Sequence, residues 1–361
     1  MTTTSISTSP AGAPAAHKGP EGLIRTVLRL HRWALWVWLA YVALGAGLLL
    51  WAWGPALGDA RAAVDACAGL WKGGRCGGSQ FTLFTRYEDY LRYGFCVIFM
   101  APFLVGAWAA ASLTARELET GTAHLAWTQS VTPARWLTAK LAVPAVLVTA
   151  GTVPLLVLYR LAYRAGAGLR AQVWPAGQEW WSEEHFTGLG IATVPRVLCA
   201  VAVGVLLGLL IRRSLASLGT GVLLMTAAAV KFTVARHLLW PTATRYGYTH
   251  DVHSTYVGVI AGEWRVESGA VTRSGDLVPY DFTCMDAAID AGRDKHGEAE
   301  AFYACLKESG LRDVWVAYHP KSHYWPLQFA ESGVWLAVAA LAVFLSYHLL
   351  RRRTDLRKGA A

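Results

Sequence analysis

The chain has 361 residues, 54% of them apolar and 16% charged, against about 25% charged for a soluble domain. Its formal charge of +9 would suggest an anionic partner in a soluble protein. The 17 Trp and the positive mean hydropathy, however, exclude a disordered chain or one that wraps nucleic acid, because apolar residues gathered into uninterrupted runs need lipid or a very large core.

In chain order, residues 1–20 are Thr, Ser, Ala and Pro without an apolar stretch and are predicted to form a disordered cytoplasmic tail. The first apolar run is long enough to remain as a span rather than act as a cleaved leader. Residues 21–32, EGLIRTVLRLHR, put Arg25, Arg29 and Arg32 on one helical face and Leu23, Ile24, Val27 and Leu28 on another. That is the pattern of an amphipathic helix lying on the membrane surface; a plain extension of the first span is the alternative. Six runs are long enough, or nearly so, to cross about 30 Å of hydrocarbon: 33–53, 93–114, 141–159, 191–211, 215–239 and 333–350.

Short segments rich in Lys and Arg stay in the cytoplasm. Lys18, Arg25, Arg29 and Arg32 precede the first span, Arg116, Arg135 and Lys140 follow the second, Arg212 and Arg213 turn the chain after the fourth, and 351–361 forms a basic tail. Both termini are therefore expected on the cytoplasmic side of the membrane, with 54–92, 160–190 and 240–332 outside. The expected fold is an α-helical membrane protein with six spans, five of them within 33–239. A small mixed α/β external domain at 240–332 precedes the sixth.

Within that domain GEWRVESGAVTRSGDLVP alternates apolar residues between glycines and predicts strands, residues 285–307 predict a helix, and YHPKSHYWPLQ returns the chain to the membrane. Cys67, Cys76, Cys284 and Cys305 fall in external segments and are disulfide candidates. Of three possible pairings, Cys67–Cys76 and Cys284–Cys305 close the shortest loops. Cys96 and Cys199 fall inside spans and read as packing residues. Trp174, Trp180 and Trp181 lie in WPAGQEWWSEEHF, either on the outer leaflet or in an ordinary folded loop.

His250, His253, His319 and His323 share the external domain but match no strong metal signature. Pro320 spoils a helical pair between the last two, and aromatic packing is the expected role, with no metal. Arg160, Arg196, Lys231 and Arg236 stand at the outer ends of spans. Snorkelling to headgroups is the default reading, and a cationic lining of a substrate path is the sharper one. The dipeptide Gly-Lys is absent, so the chain lacks the phosphate-cradling loop that ends in it, and no GxSxG, HExxH or CxxC occurs. No catalytic residue is expected.

The segment ASLTARELETGTAHLAWTQSVTPARWLTAKL, residues 111–141, carries a short amphipathic helix ended by Gly121, after which Trp127, Pro133 and Trp136 steer the chain back toward the membrane. The runs RELETGT and AWTQSVTPARWLTAKL resemble the cytoplasmic coupling region of bacterial type-2 ABC transporter permeases. YHPKSHYWPLQ resembles an actinobacterial subgroup of these export-type subunits. The resemblance implies that 115–140 is a coupling segment whose Arg116, Glu117, Glu119, Gly121 and Thr122 contact a separate ATP-binding subunit. It also implies that ATP and Mg bind that partner rather than this chain, and that two permease copies, identical or related, enclose one path. The function so implied is ATP-driven export of an amphipathic or hydrophobic substrate, whether drug, natural product, peptide or lipid. A non-transporting sensor or assembly scaffold with a ligand-binding external domain is the alternative. The large Cys-bearing segment before the sixth span departs from the short loops of many relatives.

Overall fold

The computed structural model describes residues 29, 32–67, 78–109, 114–128, 131–173, 179–247, 262–279, 284 and 295–358. The expected tail 1–20, nearly all of the surface helix 21–32, Cys76, Trp174, His250 and His253 lie outside them. Among the described residues six helices are long and apolar enough to cross a membrane: Arg32–Ala66, Phe81–Trp108, Pro133–Ala165, Thr193–Ile211, Ser214–Leu239 and Lys321–Arg353.

The first comprises α1 (Arg32–Trp51), a π-helical turn at Ala52–Ala56 and α2 (Leu57–Ala66). Pro55 sits in that turn, where the widened hydrogen-bond pattern accommodates a residue without an N–H. The helices α3 (Ser79–Trp108), α4 (Arg116–Glu119), α5 (Thr122–Thr128), α6 (Pro133–Ala165), α7 (Ala167–Val173), α8 (Glu183–Leu189) and α9 (Thr193–Ile211) follow. Next come α10 (Ser214–Ala235), closed by a 3-10 turn at Arg236–Leu239, α11 (Lys295–Glu308), and α12 (Tyr324–Lys358), which a 3-10 turn at Lys321–His323 introduces. Two helix starts carry side-chain caps: Thr132 accepts from Arg135 N with Pro133 at the first position of α6, and Ser182 accepts from His185 N at α8.

Four of the six helices outrun the apolar stretches that announce them, the first to Ala66 and the third at both ends, Pro133–Ala165. The second begins at Ser79 rather than near 93, because Phe84 and Tyr87 are fully enclosed although Arg86, Glu88, Asp89 and Arg92 dilute the hydropathy. The last begins at Tyr324 rather than 333, carrying buried Leu327, Gln328 and Glu331 into the bundle. Hydropathy marks what lipid requires, whereas a helix stops only where its backbone loses partners.

The first three spans pack through small residues. A Cβ on Gly151 would stand 2.7 Å from Trp38 Nε1, and one on Gly94 would stand 2.3 Å from Leu49 Cδ2, so glycine is what permits these helices to approach. Trp38 Nε1 donates to Leu147 O at 3.2 Å and the Tyr87 hydroxyl to Ala162 O at 2.8 Å. These bonds tie α1 and α3 to α6.

Between α10 and α12 a four-stranded antiparallel sheet runs in the order β1 (Ala243–Tyr246), β4 (Leu311–His319), β2 (Trp264–Thr272), β3 (Leu277–Val278). The alternation at 262–279 becomes β2 and β3 as expected. The flanking strands β1 and β4 were not legible, since β1 is four residues long and β4 merges into YHPKSHYWPLQ, which splits between strand end and helix start. Phe302 and Leu306 of α11 pack on Ala270 and Val314, and a disulfide joins Cys284 to Cys305 with Cα atoms 5.5 Å apart. Cys67 is also disulfide-bonded. Cys199 is a buried free thiol and Cys96 an exposed one.

The Cys284–Cys305 bridge closes a separation of 21 residues, and such a loop is worth about 3 kcal/mol. Replacing both cysteines with Ser is expected to lower the unfolding midpoint of the sheet and speed proteolysis around α11 while the spans stay intact; resistance equal to the parent's would show that the Phe302 core suffices.

Candidate functional site

At the end of the bundle away from the sheet, α4 and α5 bridge the second and third spans. Thr120 ends α4, its hydroxyl donating to Arg116 O at 2.9 Å, and Gly121 takes φ +76°, a conformation that favours a residue without Cβ. The two carboxylates of α4 then turn into the protein's own body. Glu117 accepts from Trp136 Nε1 at 3.0 Å and from the ammonium of Lys140, which is 2% exposed on α6. Trp127 of α5 packs edge-on against Trp136, with ring centroids 5.6 Å apart.

Glu119 reaches a different helix. Its Oε2 accepts from Ser214 N at 3.0 Å and Ser214 Oγ at 2.6 Å. Ser214 opens α10, and Arg213 before it offers no side-chain cap, so Glu119 satisfies a free N–H at a helix start and meets the positive end of the helix dipole. The two bonds from Ser214 hold the Glu119 carboxyl below the usual carboxylate range. Arg116 and Thr122 remain exposed. The five residues singled out in this segment are thus together in space: Glu117 and Glu119 are committed within the chain, Thr122 is exposed but donates its hydroxyl to Glu117 O at 3.3 Å, and Arg116 is exposed.

Four other charges converge at the sheet end. Arg196 of α9 contacts Glu331 of α12 at 2.7 Å and Glu183 of α8 at 3.4 Å; Arg236, just past α10, contacts the same two carboxylates at 3.0 and 2.9 Å. Both Arg side chains are 2% exposed and Glu331 is fully enclosed. Phe186 lies under the Arg236 guanidinium at 3.9 Å, Trp335 Nε1 donates to Glu331 at 3.2 Å, and hydroxyls of Thr187 and Thr233 donate to Glu183. Burial pushes the Glu183 carboxyl up, but Arg236, Arg196 and the Thr187 hydroxyl outweigh it and leave it below the ordinary value.

This ring of two Arg and two Glu alters the reading of the outer cations. Arg196 and Arg236 neither snorkel nor present bare positive surface, because their carboxylate partners enclose them. Arg160 donates at 2.8 Å to the carbonyls of both Leu189 and Gly190, and Lys231 stays exposed on α10. Sequence reasoning missed Glu183 and Glu331; a single acid abutting the apolar run of the last span is the signal that could have flagged Glu331. Beside the ring, fully buried Gln328 accepts from Ile191 N and Ala192 N and donates to Phe186 O at 2.7 Å. The WW pair of the preceding loop is folded in: Trp180 is buried, donates to Gly262 O at 2.8 Å and meets Trp264 edge-on.

A groove of about 430 Å³ runs between α3 and α10, lined by Phe99, Met100, Phe103, Val222, Val230 and Val234 with hydroxyls from Thr226 and Thr233. Thr233 also touches Glu183, so the groove abuts the ion ring. Among the described residues no group of three or more metal-capable side chains occurs; His319 and His323 do come together, with Nδ1 atoms 3.0 Å apart.

Comparison with known proteins decides the class. The family described as ABC-2 membrane transporter related matches residues 39–237, more than half of the chain. The chain belongs to that family. No curated protein and no solved structure matches it. Members of this family are membrane subunits of ABC transporters, which implies an ATP-binding partner. The match spans α4, α5, the groove and both Arg residues of the ring, and it stops before the sheet.

Removing one member of a buried pair strands the other charge, at a cost of about 3–5 kcal/mol. Glu117→Ala and Glu331→Ala should each lower the unfolding free energy in detergent by such an amount. In the first case a second change, Lys140→Met, should restore most of the loss, and additive losses in that double variant would show the contact to be incidental.

Proposed function

We propose that this chain is the permease subunit of an ATP-driven exporter in a bacterial plasma membrane, with both termini cytoplasmic, the sheet outside, and two copies enclosing the path. The observation that carries the reading is the division of labour in α4 and α5. Glu117 is held to α6 and Glu119 caps α10, while Arg116 stays exposed for a partner and the exposed Thr122 bonds back to Glu117 O.

In this reading ATP and Mg act in the partner, whose closure displaces the segment around Gly121. Displacement passes through Glu119 to the start of α10, a helix that lines the groove, and through Glu117 to α6. The chain thereby contributes a two-state response and substrate selection, and the work comes from nucleotide bound elsewhere. The groove's apolar walls and lone hydroxyls suit a hydrophobic or amphipathic substrate, and a second copy would close its open side. The basic segments 351–353 and 212–213 at the end opposite the sheet support the assigned orientation.

The reading is tested by reconstituting the permease with its ATP-binding partner. Glu119→Lys should abolish substrate-stimulated ATPase activity and transport while the partner still co-purifies, because the outward residues are unchanged. Arg116→Glu should weaken co-purification itself. Full coupled activity in Glu119→Lys, or failure of any ATP-binding protein to associate with the parent chain, would overturn the proposal.

A further inference from the structure

Three histidines meet where the sheet joins the last two spans. His319 ends β4 and is fully enclosed, His323 is half-buried in the turn before α12, and His237 lies in the turn after α10. His319 Nε2 stands 3.1 Å from His237 O. A carbonyl oxygen only accepts, so Nε2 carries the hydrogen and Nδ1 presents a lone pair. That lone pair faces His323 Nδ1 at 3.0 Å, with the two rings inclined at 64°. Burial is the main cause that holds His319 below the usual imidazole range.

We propose that His319 and His323 form a two-imidazole site for a late first-row divalent cation of the zinc class. Pro320, extended at φ −69° and ψ 160°, removes any helical pairing across the four-residue spacing. The strand end and the 3-10 turn bring the nitrogens together instead. A tetrahedral ion with N ligands at about 2.0–2.1 Å holds them about 3.3–3.4 Å apart, a few tenths of an ångström beyond the present spacing. His323 is on a single three-residue turn and can supply that shift. The His237 carbonyl on Nε2 is the kind of outer partner that fixes ring orientation and tautomer in metal-binding histidines.

Imidazole nitrogen selects zinc and copper over calcium and magnesium. Among the described residues these two imidazoles are the protein ligands at hand, so the remaining positions of the ion would fall to other ligands on the half-buried His323 side. The bound ion would tie the end of β4 to the start of α12, joining the sheet to the last span.

The test uses the full-length chain in detergent with ZnCl₂ alone, followed by calorimetry and thermal unfolding. One equivalent should bind saturably and raise the unfolding midpoint. His323→Asn keeps a hydrogen-bond donor toward His319 Nδ1 but loses the ring ligand, and should weaken binding at least about tenfold with little change in the zinc-free midpoint. His348→Ala, on the far part of α12, should bind as the parent does. Absence of saturable binding in the parent, or parent-like affinity in His323→Asn, would overturn the site and leave a simple imidazole hydrogen bond; if the Asn variant fails to fold, His323→Gln makes the same comparison.

Discussion

A charge placed among apolar helices is tolerable only when an opposite charge meets it at hydrogen-bond distance, and the sheet end of this bundle is organised by that constraint. Arg196, Arg236, Glu183 and Glu331 come from four different elements and have no net charge between them. Each carboxylate is shared by both guanidiniums, so α8, α9, α10 and α12 can separate only by exposing charge to hydrocarbon. Gln328 stitches the same region through three backbone groups, and the sheet rests on elements already fixed in this way.

The opposite end obeys the same electrostatics with a different outcome. Glu117 and Lys140 form an enclosed pair, whereas Glu119 meets Ser214 at an exposed helix start. Water competes at the second contact and is excluded from the first. The two connections from α4 thus differ in how far water reaches them, the Glu117 contact being the drier.

Much of this was legible in the sequence because lipid imposes a severe rule: six long apolar runs gave six spans, and RELETGT gave the segment between the second and third. Gly121 was read as a helix stop from its type alone, and it is one. What escaped notice depended on distance along the chain. Glu183 and Arg236 are 53 residues apart, and no local pattern couples them. The cations at 196 and 236 were visible, but their neutralising partners lay in a loop and just outside an apolar run, so the region read as basic. β4 was hidden for a similar reason: its pairing with β2 is long-range, and its aromatic end looked like a membrane return.

The turn between α9 and α10 has a mechanical consequence. Only Arg212 and Arg213 separate the helices, and Arg212 takes φ 57°; two residues span no more than about 7 Å, so the near end of α10 is tethered. Its far end is tethered as well, through Arg236 in the ion ring. A helix of 22 residues, about 33 Å long, is thus pinned at both ends. The bonds there leave the helix axis at an angle, so they oppose rotation of α10 as well as sliding and tilting. Val222, Thr226 and Val230, which α10 shows to the groove, are therefore held at a fixed angle between two anchored ends.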